Sequence, residues 1–101
     1  MPQLKNLLKL MSSKNASDLH LTVGSPPKIR LNGNLESLDE KKFTADDIQN
    51  LFKDYLNGKQ LESIKKGVDL DFTIGIEGLS RFRINVFQQR GNIVASIRCL
   101  P

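Results

Sequence analysis

The sequence has one cysteine, Cys99, and one histidine, His20, among 101 residues. A single thiol excludes an internal disulfide and a thiolate metal site, and it fits a reducing compartment. A single imidazole excludes a site built on two histidines. No stretch approaches the ~18 consecutive apolar residues that a membrane span needs. The apolar N-terminal stretch is interrupted by Lys5, Asn6 and Lys9, so it does not read as a secretory signal. The motif GxxxxGK(S/T) is absent, so the chain by itself has no phosphate-binding loop of the usual ATPase kind. Internal repeats and low-complexity segments are absent too. These exclusions leave a cytoplasmic protein, and the length allows one core, not two.

Hydrophobic residues make up 39% and charged residues 26%, which is globular rather than disordered composition. The net charge of +4 keeps nucleic acid, acidic membranes and phosphate ligands open as partners.

Apolar residues first recur with a helical period. Leu4, Leu7, Leu8 and Met11 form one stripe, with Lys5, Lys9 and Lys14 off it. A basic amphipathic helix of this kind either rests on a membrane or docks on its own domain. The narrow stripe and short length favour docking. The period then changes to two. Leu19, Leu21 and Val23 alternate with Asp18, His20 and Thr22, and Gly24-Ser25-Pro26-Pro27 breaks the strand. Ile29 and Leu31 resume the alternation, with Lys28 and Arg30 outward. Asn32-Gly33 then predicts a two-residue hairpin turn into a return strand at 34–38. Thr44, with Asp47 three residues on, predicts a helix start, and Gly58 is placed as that helix's C-terminal cap. A second short helix carries Leu61 and Ile64 and stops at Gly67.

The last third alternates throughout. One face holds Leu70, Phe72, Ile74, Phe82, Ile84, Val86, Ile93, Ala95, Ile97 and Cys99. Taking Ile76-Glu77-Gly78 as a three-residue loop sets Phe72 opposite Phe82 and Asp71 opposite Arg83. Taking Gly91-Asn92 as a two-residue turn sets Arg90 opposite Ile93, Asn85 opposite Arg98 and Arg83 opposite Leu100. The order of helix, hairpin, two helices and three-stranded meander predicts an α+β domain with an antiparallel sheet packed by helices.

The outward face of the meander gathers Arg81, Arg83 and Arg98 with Asn85, Ser96, Asp69 and Asp71. Arginines so close repel one another unless an anion is near. Two readings follow. In one, Asp71 pairs with Arg83 across strands. In the other, the arginines meet phosphate or carboxylate groups, for which a planar forked guanidinium is suited. His20 lies outward on its strand without a metal-ligating partner and reads as structural.

The run Ala16-Ser17-Asp18-Leu19-His20-Leu21-Thr22-Val23-Gly24-Ser25-Pro26-Pro27, continued by Lys28-Ile29-Arg30-Leu31-Asn32-Gly33-Asn34-Leu35, resembles the opening of the PilT-type ATPases. These are twitching-motility motors of the type II/IV secretion ATPase superfamily that retract type IV pili. Asp71-Phe72-Thr73 and Arg81-Phe82-Arg83-Ile84-Asn85-Val86-Phe87-Gln88-Gln89-Arg90-Gly91 resemble later parts of the same domain. The family usually closes this domain with Ile-Pro, where Cys99-Leu100-Pro101 stands here.

The resemblance implies that residues 1–101 form a PAS-like N-terminal domain of a longer protein. Its RecA-like domain would hold ATP and Mg2+ and carry out hydrolysis. The segment itself would be non-catalytic and would bind no cofactor alone. It implies a hexameric ring in which this domain packs on the neighbouring subunit's RecA-like domain. There it would also close over nucleotide held by its own. It implies a pilus-base inner-membrane protein as partner, a place at the inner face of the cytoplasmic membrane without spanning it, and no nucleic acid. By motif, Arg83, Arg81 and Arg98 are the candidate phosphate ligands, Arg83 first among them. Two alternatives carry different expectations. A freestanding PAS-like ligand sensor needs a ligand-sized cavity, yet Phe72 and Phe82 point inward and are bulky. A basic nucleic-acid-binding module wants stacking aromatics, and only Phe87 shares the arginine face of its strand.

Overall fold

Leu4, Leu7, Leu8 and Met11 are 2%, 3%, 0% and 0% exposed, so the N-terminal helix spends its apolar stripe on its own domain. The computed structural model describes residues 3–101. This helix is α1 (Leu4–Ser13), followed by β1 (Asp18–Thr22), β2 (Lys28–Leu31) and β3 (Asn34–Ser37). Two helices, α2 (Ala45–Phe52) and α3 (Gly58–Lys65), precede β4 (Leu70–Ile76), β5 (Ser80–Gln89) and β6 (Asn92–Cys99). The six strands form one sheet in the order β3-β2-β1-β6-β5-β4, with every neighbouring pair antiparallel. The fold is α+β, as the alternation predicts. Among the described residues no helix is long and apolar enough to cross a membrane.

Local chemistry fixes most boundaries. Asn32 (φ 51°) and Gly33 (φ 86°) both adopt the left-handed conformation that a type I′ hairpin requires. At the start of α2, Asp47 N–H donates to the Thr44 hydroxyl at 3.1 Å and Thr44 N–H donates to the Asp47 carboxylate at 2.9 Å. This reciprocal cap matches the expectation at Thr44. Gly58 departs from it. Rather than capping α2, it is the first residue of α3. Asn57 takes the N-cap position, and its side chain and that of Gln60 exchange bonds with each other's backbone N–H at 2.8 and 2.9 Å. The two N-terminal donors satisfied at Asn57 decide the matter, and α2 ends earlier, at Phe52.

Both meander registers differ from the expected ones by two residues. In β4–β5, Ile76 pairs with Ser80, Phe72 with Ile84 and Thr73 with Arg83. Gly78 (φ 76°) sits inside a turn that Leu79 N–H closes onto the Ile76 carbonyl at 3.0 Å, rather than ending the loop. In β5–β6, Gln89 pairs with Asn92, so the turn is Arg90-Gly91, with φ of 54° and 79°. Asn85 therefore faces Ser96, and Arg83 faces Arg98. A slip of two preserves which side each residue faces, because the side-chain period is two. The predicted core face accordingly survives, while each cross-strand partner changes.

That face packs Leu19, Leu21, Ile29, Phe82, Ile84, Val86, Ala95 and Ile97 against Leu8, Met11, Ile48, Phe52 and Ile64 of the three helices. Phe52 meets Phe72 edge to face, with ring centres 6.1 Å apart. The large side chains fill the interior. The helices' buried residues all belong to this core, so the opposite sheet face is left largely to polar side chains.

Candidate functional site

Sheet order decides what the open face holds. A row of paired positions runs from Thr73 on β4 through Arg83 on β5, Arg98 on β6 and Asp18 on β1 to Arg30 on β2. Because β1 lies against β6, the N-terminal hairpin brings Asp18 and Arg30 into the row with the meander's arginines.

Arg83 Nε donates to Asp71 Oδ1 at 3.1 Å and Arg83 Nη2 to Asp71 Oδ2 at 2.7 Å. The cross-strand pair therefore forms, as a two-bond fork, although the residues are diagonal rather than directly opposite. Both side chains stay largely in solvent, at 63% and 46% exposure. The hydrogen bonds and charge of Arg83 hold the Asp71 carboxyl below its ordinary value, and Asp71 in turn pushes the guanidinium up.

Asp18 is the row's buried carboxylate, with only 13% of its side chain exposed. Arg98 Nε donates to its Oδ1 at 3.3 Å, and the Ser17 hydroxyl donates to its Oδ2 at 2.7 Å. Arg30 Nε lies 3.9 Å from Oδ2, and Arg30 Nη1 donates to the Gly33 carbonyl at 3.0 Å. Burial by itself raises the Asp18 carboxyl. The bonds from Ser17 and Arg98, with the Arg98 charge, outweigh it and leave Asp18 below its ordinary value.

Between Arg83 and Arg98 lies a depression of 520 Å³, lined also by Asp18, Asp71, Asn85 and Phe87. Of the three predicted site residues, the structure brings these two together. Arg81 shares their face but lines a separate depression with Glu77, Gly78 and Pro101, beside the β4–β5 turn. Arg30, outward by alternation, joins the row beside Asp18 although it is not among the three predicted site residues. The missing information was the β1–β6 pairing, for which no local signal exists. His20 is half-buried between Lys28 and Ser96, and its Nε2 has no hydrogen-bond partner among the described residues. In chemical terms the face offers forked cationic donors, two of them splayed around a hollow, which suits phosphate oxygens.

No family model matches the chain. It is 32% identical over 98 residues to the type IV pilus retraction ATPase PilT of Pseudomonas aeruginosa, covering 97% of this chain and 28% of that protein. It is 28% identical over 95 residues to the type IV pilus ATPase PilU of the same organism, covering 94% of this chain and 25% of that one. A crystal structure of the pilus retraction motor PilT with bound ADP superposes with a TM-score of 0.84 at 35% identity, covering all of this chain and 30% of that one. The chain thus spans under a third of the length of the relatives it matches. By sequence and by fold it is a relative of the N-terminal domain of PilT-type ATPases.

Proposed function

We propose that this domain is the nucleotide clamp and lever of a hexameric ATPase that powers type IV pilus retraction. The observation that carries the reading is the splayed pair Arg83 and Arg98 around an open hollow on the sheet face away from the helices. It agrees with the likeness to a retraction motor described with bound ADP.

The chain carries no GxxxxGK(S/T), so hydrolysis belongs to a RecA-like domain that would hold ATP and Mg2+. This domain closes over that nucleotide and presents Arg83, with Arg98 and Arg81, to its phosphates. A charged donor that reaches the phosphates only in the ATP state shifts the domain angle by its differential affinity, and hydrolysis then releases the clamp. An arginine supplied in this way also stabilises charge in the transition state. The domain packs on the RecA-like domain of the adjacent subunit, so its rotation is passed around the ring. The assembled machine works in the cytoplasm at the inner membrane face, against an inner-membrane protein of the pilus base.

Arg83→Ala in the complete ATPase tests the reading. ATP turnover is expected to fall about tenfold or more, the worth of one charge-assisted bond to phosphate. The circular dichroism spectrum of the protein is expected to stay unchanged. Turnover equal to that of the unmodified protein overturns the role of Arg83.

A further inference from the structure

Arg83 and Arg98 stand directly opposite each other on β5 and β6, where like charges repel. Each is turned away from the other by a carboxylate on its far side. Arg83 reaches to Asp71 on β4, and Arg98 reaches to Asp18 on β1.

The two carboxylates differ in what holds them. Asp18 is 13% exposed and is shared among Arg98, Arg30 and the Ser17 hydroxyl, within the sheet's interior strands. Asp71 is 46% exposed, lies on the edge strand, and has Arg83 as its one side-chain partner among the described residues. An exposed ion pair is weak, because water solvates both members well once they part. Asp71 nevertheless occupies the Nε–Nη2 edge of Arg83, an edge suited to two phosphate oxygens.

We propose that Asp71 is a displaceable counter-ion of Arg83, holding the guanidinium's Nε–Nη2 edge until a phosphate group takes that edge and expels it. The inference rests on the reading of Arg83 as a phosphate ligand. A phosphate dianion brings more charge to the guanidinium than the single charge it replaces, and carboxylate and phosphate side by side repel each other. Asp71 then swings to solvent without disturbing the core, since no buried group depends on it. The contact is autoinhibitory: it lowers the affinity of the clamp for any anion and reserves Arg83 for the more highly charged one.

The test is equilibrium titration of the complete ATPase with a non-hydrolysable ATP analogue and Mg2+. Asp71→Asn is expected to tighten binding about two- to fivefold, the range spanned by an exposed ion pair. Arg83→Ala is expected to weaken it, and Asp71→Asn added to Arg83→Ala is expected to change nothing further. Asp69→Asn, which removes an equal charge two residues away, is expected to leave affinity unchanged. Weaker or unchanged binding in Asp71→Asn overturns the counter-ion role while leaving Arg83 as a ligand, provided Arg83→Ala still weakens binding. Tightening that persists without Arg83, or that Asp69→Asn reproduces, also overturns it, as a general effect of net charge. No loss of affinity in Arg83→Ala overturns the phosphate reading and the counter-ion together.

Discussion

Asp18 carries the largest share of the open face's electrostatic order, since one buried carboxylate organises Ser17, Arg98 and Arg30. Its folded-state pKa lies below the ordinary 3.8 because the bonds from Ser17 and Arg98, with the Arg98 charge, outweigh the cost of its burial. For a depressed carboxylate the sign is fixed: its contribution is complete above the unfolded value and is lost as pH falls through the folded one. Asp18→Asn is therefore expected to cost about 1–2 kcal/mol at neutral pH, the usual worth of hydrogen bonds to a charged group less what an amide retains. The gap between the two proteins in urea unfolding is expected to narrow as pH falls below the ordinary carboxylate value of 3.8. A gap that stays constant with pH would show that the carboxylate's charge is not what stabilises the site. Arg98, exposed at 71%, gains order from this contact rather than burial, so most of the energetic effect resides with Asp18.

At the scale of elements, the turns set the register and the register sets the partners. The β5–β6 turn places Arg90 at φ 54°, a left-handed conformation that costs a residue with a Cβ about 1–2 kcal/mol and that asparagine tolerates better. Arg90→Asn converts the turn to the Asn-Gly pair preferred for a type I′ hairpin, and it is expected to raise stability by about 0.5–1 kcal/mol. Thermal unfolding checks this, and a lower midpoint would mean that the arginine side chain supplies a contact of its own. This turn also shows why sequence reading went only part of the way. Gly91-Asn92 and Arg90-Gly91 are both plausible two-residue turns, and they differ by a slip that leaves every inward residue inward. Alternation in 80–99 makes the faces legible, but hydrophobicity cannot separate two registers with the same parity. Only the conformational demand of the turn does, with Gly91 needed at the second position. Gly58 opens α3 instead of closing α2 for a related reason. A glycine after an apolar periodic stretch resembles a helix stop, yet Asn57 with Gln60 three residues on is a helix start with two hydrogen bonds behind it. The Thr44 and Asp47 pair was legible because no competing signal stood beside it.

For the whole molecule, the decisive contact is the one joining β1 to β6, from Asp18 opposite Arg98 to Thr22 opposite Val94. It makes a single sheet of the N-terminal hairpin and the meander, and it completes the arginine row with Arg30. Nothing in a local window announces a pairing between residues some eighty positions apart, as with Arg98 and Asp18. It follows that α1, which packs beside β1, is part of the cooperative core rather than an attachment. Leu8 is fully buried there, in the same cluster as Ile97 and Phe82. Leu8→Ala is expected to cost about 2–5 kcal/mol, the range for a large aliphatic side chain cut back in a packed core. In a domain of this length that loss lowers the thermal midpoint by roughly 10–20 °C. The transition is expected to remain single when followed by far-ultraviolet circular dichroism and by proteolysis of the meander, because one core serves both halves. A small early transition confined to α1, with the sheet unfolding at its original temperature, would instead make the helix a separable element. Its basic outer face would then be free to serve a surface outside the domain. The exposures of Leu4, Leu7, Leu8 and Met11, none above 3%, argue for the first outcome: with the stripe spent on the sheet, Leu10, at 44% exposure, is the large apolar side chain α1 still shows to solvent, and a single leucine is too little for a membrane face.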